Sequence, residues 1–473
     1  MVFSNLEFLL FFLPAALAGY YLLPFRFRNF WLLLVSLVFY GWGEPVYIFL
    51  MIATIIVDYA CGYWIDRKRV SHPTAARNIL ILAATVNLAI LGLFKYYGLF
   101  AELLRRIPVF RGIPEWNAAL PIGISFYTFQ SLSYVIDVYR GDAEVQKNPF
   151  SFGAYVALYP QLIAGPIVRY RDVASQLRQR EHSAGLFASG VRLFVVGLAK
   201  KVLLADVAGK LWRDSFLSVP TDSRTVLGSW LGLLCYSFQI YFDFSGYSDM
   251  AVGLGKMIGF RFAENFNYPY ISKSVTEFWR RWHISLGTWF REYVYIPLGG
   301  NRAGRVRLYR NLLAVWLLTG LWHGAGWNFV LWGLYYFLLI AAEKAILLKK
   351  LERAPSLLAH LYTCFCVMVG WLIFVSCDIT AGTGISYFGN LFGFGTVSFS
   401  DSAMTFDLMR CLPFLLLCAA ACTPLPAKLY RRFSAACGNG AKLLTAAGTL
   451  LYLLLCLSYI VSSDFSPFLY YRF

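Results

Sequence analysis

Charge is scarce in this chain: of 473 residues, 14% are charged and 59% are hydrophobic. A soluble globular domain carries about 25% charged residues, so this composition excludes one. With a mean hydropathy of +0.58, the chain reads as an all-α polytopic membrane protein. Histidine is scarcer still, five in all. Neither His283 nor His323 has a Cys or His three or four residues away, so the spacing of a metal site is missing and no metal is expected. The ten cysteines include no CxxC pair. Cys418 and Cys422 share a helix face and read as small packing residues. Between Met1 and Leu23 the only charges are the amino terminus and Glu7. Lacking a basic segment ahead of its apolar run, this opening stretch reads as a retained span rather than a cleaved leader. Long linkers, low-complexity tracts and repeats are also lacking, which predicts one domain over 1–473.

What the chain has in quantity is apolar runs of spanning length. They fall near 6–23, 29–42, 46–65, 78–98, 150–168, 184–206, 226–246, 310–322, 325–347, 356–377, 405–423 and 443–461, about twelve in all. The segment 121–140 is apolar but opens with Pro121 and Gly123, and reads as a broken or re-entrant piece lining a cavity. The net charge of +17 sits in loops between these runs. It is therefore read as a topology signal and as contacts for membrane lipids or an anionic substrate, with no nucleic acid. Basic loops at 66–77, 169–180, 261–310, 344–353 and 428–442 are assigned to the cytoplasm, which places both termini outside. Arg105, Arg106, Arg111, Lys200 and Lys201 disagree with that assignment. Asp58, Gln130, Asp137, Gln161, Gln239, Asp243 and Asp249 lie at apparent membrane depth and are read mainly as satisfying neighbouring polar groups.

The densest chemistry lies in about 261–347. Residues 277–301 read EFWRRWHISLGTWFREYVYIPLGGN. At 100° per residue, Trp279, Trp282, Leu286, Trp289 and Phe290 share one side of a helix, with Arg280, Arg281 and Arg291 opposite and His283 at the boundary. That pattern describes an interfacial helix. Its arginines suit the phosphates of an anionic donor or, equally, lipid head groups. His323 instead interrupts an apolar run, beside Trp322, Gly324, Gly326 and Trp327. A histidine buried there stays neutral, the form a general base requires. The alternative is a core histidine hydrogen-bonded to a neighbouring helix. His283 is left between a second catalytic or donor-positioning group and an ordinary interfacial residue.

These residues resemble those of the membrane-bound O-acyltransferase family, and within it the bacterial alginate O-acetyltransferase AlgI-like subfamily. The likeness runs nearly end to end. It takes in Met1–Asn5, Pro121–Gln130, Tyr159–Ile167, Phe242–Asp249, Asn267–Tyr270, Glu277–Asn301, Leu321–Gly324 and the aromatic close Ser466–Phe473. Gly287 and Glu292 stand where relatives often have Ser and Asp. The resemblance implies about 11–12 transmembrane helices, with re-entrant and interfacial pieces, around a central tunnel. It implies an O-acetyltransferase with His323 and His283 as catalytic residues and with Arg280, Arg281 and Arg291 near the donor phosphates. No bound cofactor is implied; acetyl-CoA is the expected acyl donor. A periplasmic SGNH-type acetyltransferase is the expected partner, a secreted polysaccharide such as alginate the final acceptor, and the bacterial inner membrane the location. Three rivals remain: D-alanyl or other acyl transfer to an envelope polymer, a transporter without covalent chemistry, and a scaffold of a polysaccharide export complex. The absence of a second copy of either histidine pattern argues against the inverted repeats common in transporters.

Overall fold

A computed structural model describes residues 1–115, 119–220, 223–302, 304–376, 381–462 and 468–469. Residues 466, 467 and 470–473 of the aromatic close lie outside these, as do 378–380. Helices account for all regular structure among the described residues, apart from an isolated pairing of Thr225 with Ser398. The chain divides into two compact units, Met1–Val195 with Tyr247–Glu264, and Val196–Gly246 with Asn265–Phe473.

The first unit holds α1 (Phe8–Leu22), α2 (Phe25–Gly43), α3 (Tyr47–Lys68), α4 (Pro73–Arg105), α5 (Ile124–Arg140), α6 (Pro149–Ala157) and α7 (Tyr170–Arg178). Its centre is α5. The sequence suggested a broken segment, yet 124–140 forms one unbroken helix with nearly every residue buried. The break lies just before it, where Gly123 adopts φ +76° and packs against the Leu162 carbonyl. A side chain there would meet both the left-handed backbone and that carbonyl. Two of the polar residues at depth have local partners: Asn87 donates to Asp58 across 2.8 Å, joining α3 to α4, and the Gln161 amide donates to the Tyr155 carbonyl at 2.6 Å. The run 150–168 is helical only to Ala157. Pro160, Gly165 and Pro166 end it, and a buried irregular segment follows.

The second unit begins within α8 (Ala184–Ala199), which continues as a π-wound turn, Lys200–Ala205, into α9 (Asp206–Trp212). It includes the first part of α10 (Val226–Met257), then α11 (Val275–Arg281), α12 (Ile284–Phe290), α13 (Arg305–His323) and α14 (Trp327–Ala342). A π-wound turn, Glu343–Leu347, joins α14 to α15 (Leu348–Arg353); α16 (Ser356–Val375), α17 (Ala381–Asn390), α18 (Ser402–Ala421) and α19 (Leu425–Ser462) follow. Among the described residues, six helices are long and apolar enough to cross a membrane: α3, α4, Trp327–Arg353, α16, α18 and Gly440–Ser462. The last follows a kink at Gly438 and exposes Leu450, Leu451, Tyr452, Leu454 and Leu455. The chain is an all-α, multi-pass membrane protein.

Three of the residues that disagreed with the charge-based topology have local partners. Arg105 and Arg106 pair with Glu115 and Glu102 at 3.4 and 3.2 Å. Lys201 is buried between Asp206 and Asp243 at 2.7 and 2.8 Å.

Candidate functional site

The site is assembled around three chain breaks in the second unit. The first is the start of α11. Ser274 caps it by accepting from the Glu277 amide at 3.0 Å, while the Glu277 carboxylate accepts from the Lys273 amide at 3.0 Å. This Ser-x-x-Glu arrangement fixes where the helix begins. The fully buried carboxylate of Glu343 adds a second cap. It accepts from the Val275 and Thr276 amides at 2.7 and 2.8 Å and from the Thr276 hydroxyl at 2.6 Å. Trp279 then packs against Tyr336, Trp316 and Trp332, with ring centroids at 4.8, 5.1 and 5.3 Å.

The second break is His283. The sequence predicts one continuous helix with His283 at its boundary; instead the helix stops after Arg281 and restarts at Ile284. His283 stands between with φ +46° and ψ +53°, a left-handed conformation for a residue other than glycine. That reversal resets the helical phase and turns the imidazole inward, where it is 2% exposed. Trp282, Leu286, Trp289 and Phe290 are buried as the periodicity predicts. The break is tied down by the irregular segment before α11: Ile284 donates to the Asn265 carbonyl at 3.0 Å and Asn267 to the Arg281 carbonyl at 2.9 Å. His283 Nδ1 lies 3.2 Å from Asn265 Oδ1, and its ring meets Phe244 edge-on at 4.7 Å. His283 is outside the six spanning helices, and burial pushes its pKa down from 6.5 to about 3. The imidazole is therefore neutral throughout the physiological range.

The third break follows His323, the last residue of α13. Gly324 is extended and α14 starts at Trp327. The α13–α14 hairpin is closed by two glycines: Gly320 lies against the Phe329 carbonyl and Gly333 against the Trp316 carbonyl. Such backbone approach leaves no room for a Cβ. His323 is 4% exposed and walled by Trp322, Trp332 and Phe374 at 5.0, 5.1 and 5.3 Å between ring centroids. Trp322 also contacts His283 at 5.9 Å. One indole thus touches both histidines, which lie 40 residues apart in sequence.

The three arginines separate. Arg280 and Arg291 are exposed. Arg281 is held by Glu277 at 2.9 Å and by the Asn267 carbonyl at 3.1 Å, so its guanidinium is committed to the fold. No cluster of three His, Cys, Asp or Glu side chains suited to a metal occurs among the described residues.

Sequence reasoning passed over Asn265 and Glu343, and left Lys201 as an anomaly of topology. Glu343 carried a usable signal, an acid inside an apolar run. Asn265 carried none, because its role depends on a contact 18 residues away. The Lys201–Asp206–Asp243 cluster also reaches the end of the chain, since Asp243 accepts from the Leu469 amide at 2.7 Å. Phe468 is buried against Phe244, the ring that meets His283.

The family model described as "MBOAT, membrane-bound O-acyltransferase family" matches residues 143–381. The chain is 45% identical to the "Probable alginate O-acetylase AlgI" of Azotobacter vinelandii over 85% of this chain and 80% of that protein. Identity to the protein of the same name from Pseudomonas aeruginosa is 44%, over 85% of this chain and 76% of the relative. The "Peptidoglycan O-acetyltransferase" of Helicobacter pylori is 33% identical, over 79% and 77% of the two chains.

Proposed function

The chain belongs to the membrane-bound O-acyltransferase family and is an O-acyltransferase, and from that premise we propose that it takes acetyl from cytoplasmic acetyl-CoA and passes it across the bacterial inner membrane for O-acetylation of a secreted polysaccharide such as alginate. The observation that carries this reading is the placement of His323: a buried imidazole at a helix end, beside the Gly324–Gly326 break, inside a wall of rings. A water-poor enclosure of that kind suits acyl transfer, because it protects a thioester from hydrolysis.

In the proposed reaction His323 removes the proton from an attacking hydroxyl as that oxygen adds to the thioester carbonyl. The tetrahedral intermediate collapses with cleavage of the C–S bond, and the departing thiolate takes the proton back from His323. The products are an O-acetyl ester and free CoA. His283, whose ring also contacts Trp322, assists. Arg280 and Arg291, exposed and basic, suit the donor phosphates; Arg281 is left out of that role by its bond to Glu277. A periplasmic SGNH-type acetyltransferase completes transfer to the polymer. The names of the relatives, which include acetylases of alginate and of peptidoglycan, support a polysaccharide as the final acceptor.

The test is complementation of a deletion strain with wild type or His323→Ala at matched membrane levels, reading ester-linked acyl groups on secreted polymer. Loss of acetyl esters in the variant is expected. Full acetylation would move the chemistry away from His323, and loss of a different acyl group would change the donor assigned.

A further inference from the structure

Two histidines occupy the site, and the structure constrains one of them further than the proposed reaction requires. The Oδ1 atom of Asn265 lies 3.1 Å from the Ser285 amide nitrogen, 2.9 Å from the Ser285 hydroxyl and 3.2 Å from His283 Nδ1. A backbone N–H can only donate. The carboxamide atom that faces it must therefore be the oxygen, and the orientation of the Asn265 amide is settled without reference to the histidine. An amide oxygen can only accept, so His283 Nδ1 must carry the hydrogen. In a neutral imidazole the other nitrogen, Nε2, then holds the lone pair.

We infer that Asn265 is a positioning residue that locks His283 as its Nδ1–H tautomer, so that Nε2 of this ring is a hydrogen-bond acceptor beside the base His323. This rests on the reading of His283 as functional. It also narrows that reading. A neutral His283 in this tautomer accepts a hydrogen bond through Nε2 and has no proton there to give to a developing oxyanion. Its substrate contact is with a donor, either the hydroxyl of the acyl acceptor or an amide N–H of a pantetheine arm, and not with the thioester oxygen. The lock is built from several sides. Asn265 is 2% exposed, its own carbonyl receives the Ile284 amide at 3.0 Å, and the left-handed backbone of His283 aims the ring at it. Phe244 and Trp322 pack edge-on against the imidazole, and neither titrates.

Two substitutions separate the accepting oxygen from mere bulk. The Asn265 Nδ2 makes no hydrogen bond among the described residues, so Asn265→Asp removes no donor contact and retains an oxygen facing Ser285 and His283. Asn265→Leu keeps the branched shape and removes the acceptor. In the complementation strain, with protein extracted and matched by size-exclusion chromatography, Asn265→Leu is expected to lower polymer acetylation to within about twofold of His283→Ala. Loss of a positioned proton-transfer group costs roughly 10²-fold or more. Asn265→Asp is expected to restore acetylation several-fold above Asn265→Leu. In membrane vesicles given labelled acetyl-CoA, Asn265→Asp should also show an acid limb absent from wild type, because a carboxylate against Nδ1–H favours the imidazolium.

Wild-type acetylation in Asn265→Leu overturns the assignment. Equal damage in Asp and Leu variants, with an unchanged pH profile, also overturns it and leaves Asn265 a structural residue. If Asn265→Leu fails to accumulate, the pH profile of Asn265→Asp decides alone. Wild-type acetylation in His283→Ala is a separate result: it sinks the functional reading of His283, whatever Asn265 does.

Discussion

Replacing Glu343 by alanine should loosen the helix that leads into His283. The Glu343 carboxylate accepts three hydrogen bonds, two from the backbone amides of Val275 and Thr276 and one from the Thr276 hydroxyl. The hydroxyl can turn to another acceptor, but the two amides at the head of α11 cannot. Each buried amide left without an acceptor costs about 1–3 kcal/mol. Removing a buried carboxylate gives some of this back by relieving its desolvation. A net loss of about 3 kcal/mol follows. For a compact unit of this size, about 2 °C of melting temperature accompanies each kcal/mol, so Glu343→Ala should melt about 6 °C lower. Glu343→Gln retains one accepting oxygen and turns an NH2 toward the remaining donors, so it should fall between. The assay is thermal challenge of detergent-extracted protein followed by size-exclusion chromatography. Melting of both variants within about 1 °C of wild type would refute the view that Glu343 caps α11.

Gly333→Ala places a methyl against the Trp316 carbonyl and near Leu317 Cα; it should part the α13–α14 hairpin, cost about 1–3 kcal/mol and reduce acetylation more than Gly287→Ala, where a Cβ meets open space. The buried His283 gives a pH effect whose sign is fixed. The folded chain resists protonation down to about 3, whereas an unfolded histidine takes a proton near 6.5. Stability is therefore complete above pH 6.5 and falls as pH drops toward the folded value, by about 2 kcal/mol between pH 7 and pH 5. His283→Gln should remove that component, so its melting temperature should fall less than that of wild type over the same interval; equal slopes would refute the assignment.

Much of this architecture is legible from sequence because the governing pattern is continuous. Eighteen or more apolar residues in a row have few alternatives, and the runs near 46–65, 78–98 and 356–377 became α3, α4 and α16. Failures came where one residue changed the backbone. The wheel that grouped Trp282, Leu286, Trp289 and Phe290 identified the buried face, but the left-handed turn at His283 has no periodic signature. His283 consequently moved from the boundary to the interior. Long-range polar contacts were the other loss. Nothing near Asn265 announces a bond to residue 283, and nothing near Lys201 announces Asp243. Charge counting treats every lysine as solvated, so a buried ion cluster looks like a misplaced loop.

Helix α14 has one further consequence. Its first turns pack against His323 through Trp332, and immediately beyond its last turn Glu343 grips the head of α11, which leads to His283. The stretch of helix from Trp332 to Glu343 is therefore a gauge between the two histidine-bearing segments, about 16 Å long at 1.5 Å per residue. A substitution on its outer face leaves that gauge intact. One inserted residue lengthens it by about 1.5 Å and swings Glu343 by about 100°, so the carboxylate no longer points at α11. Drift can change the composition of its outer face freely, but its length and phase are held by both ends at once, and Trp332 and Gly333 are held by what they touch.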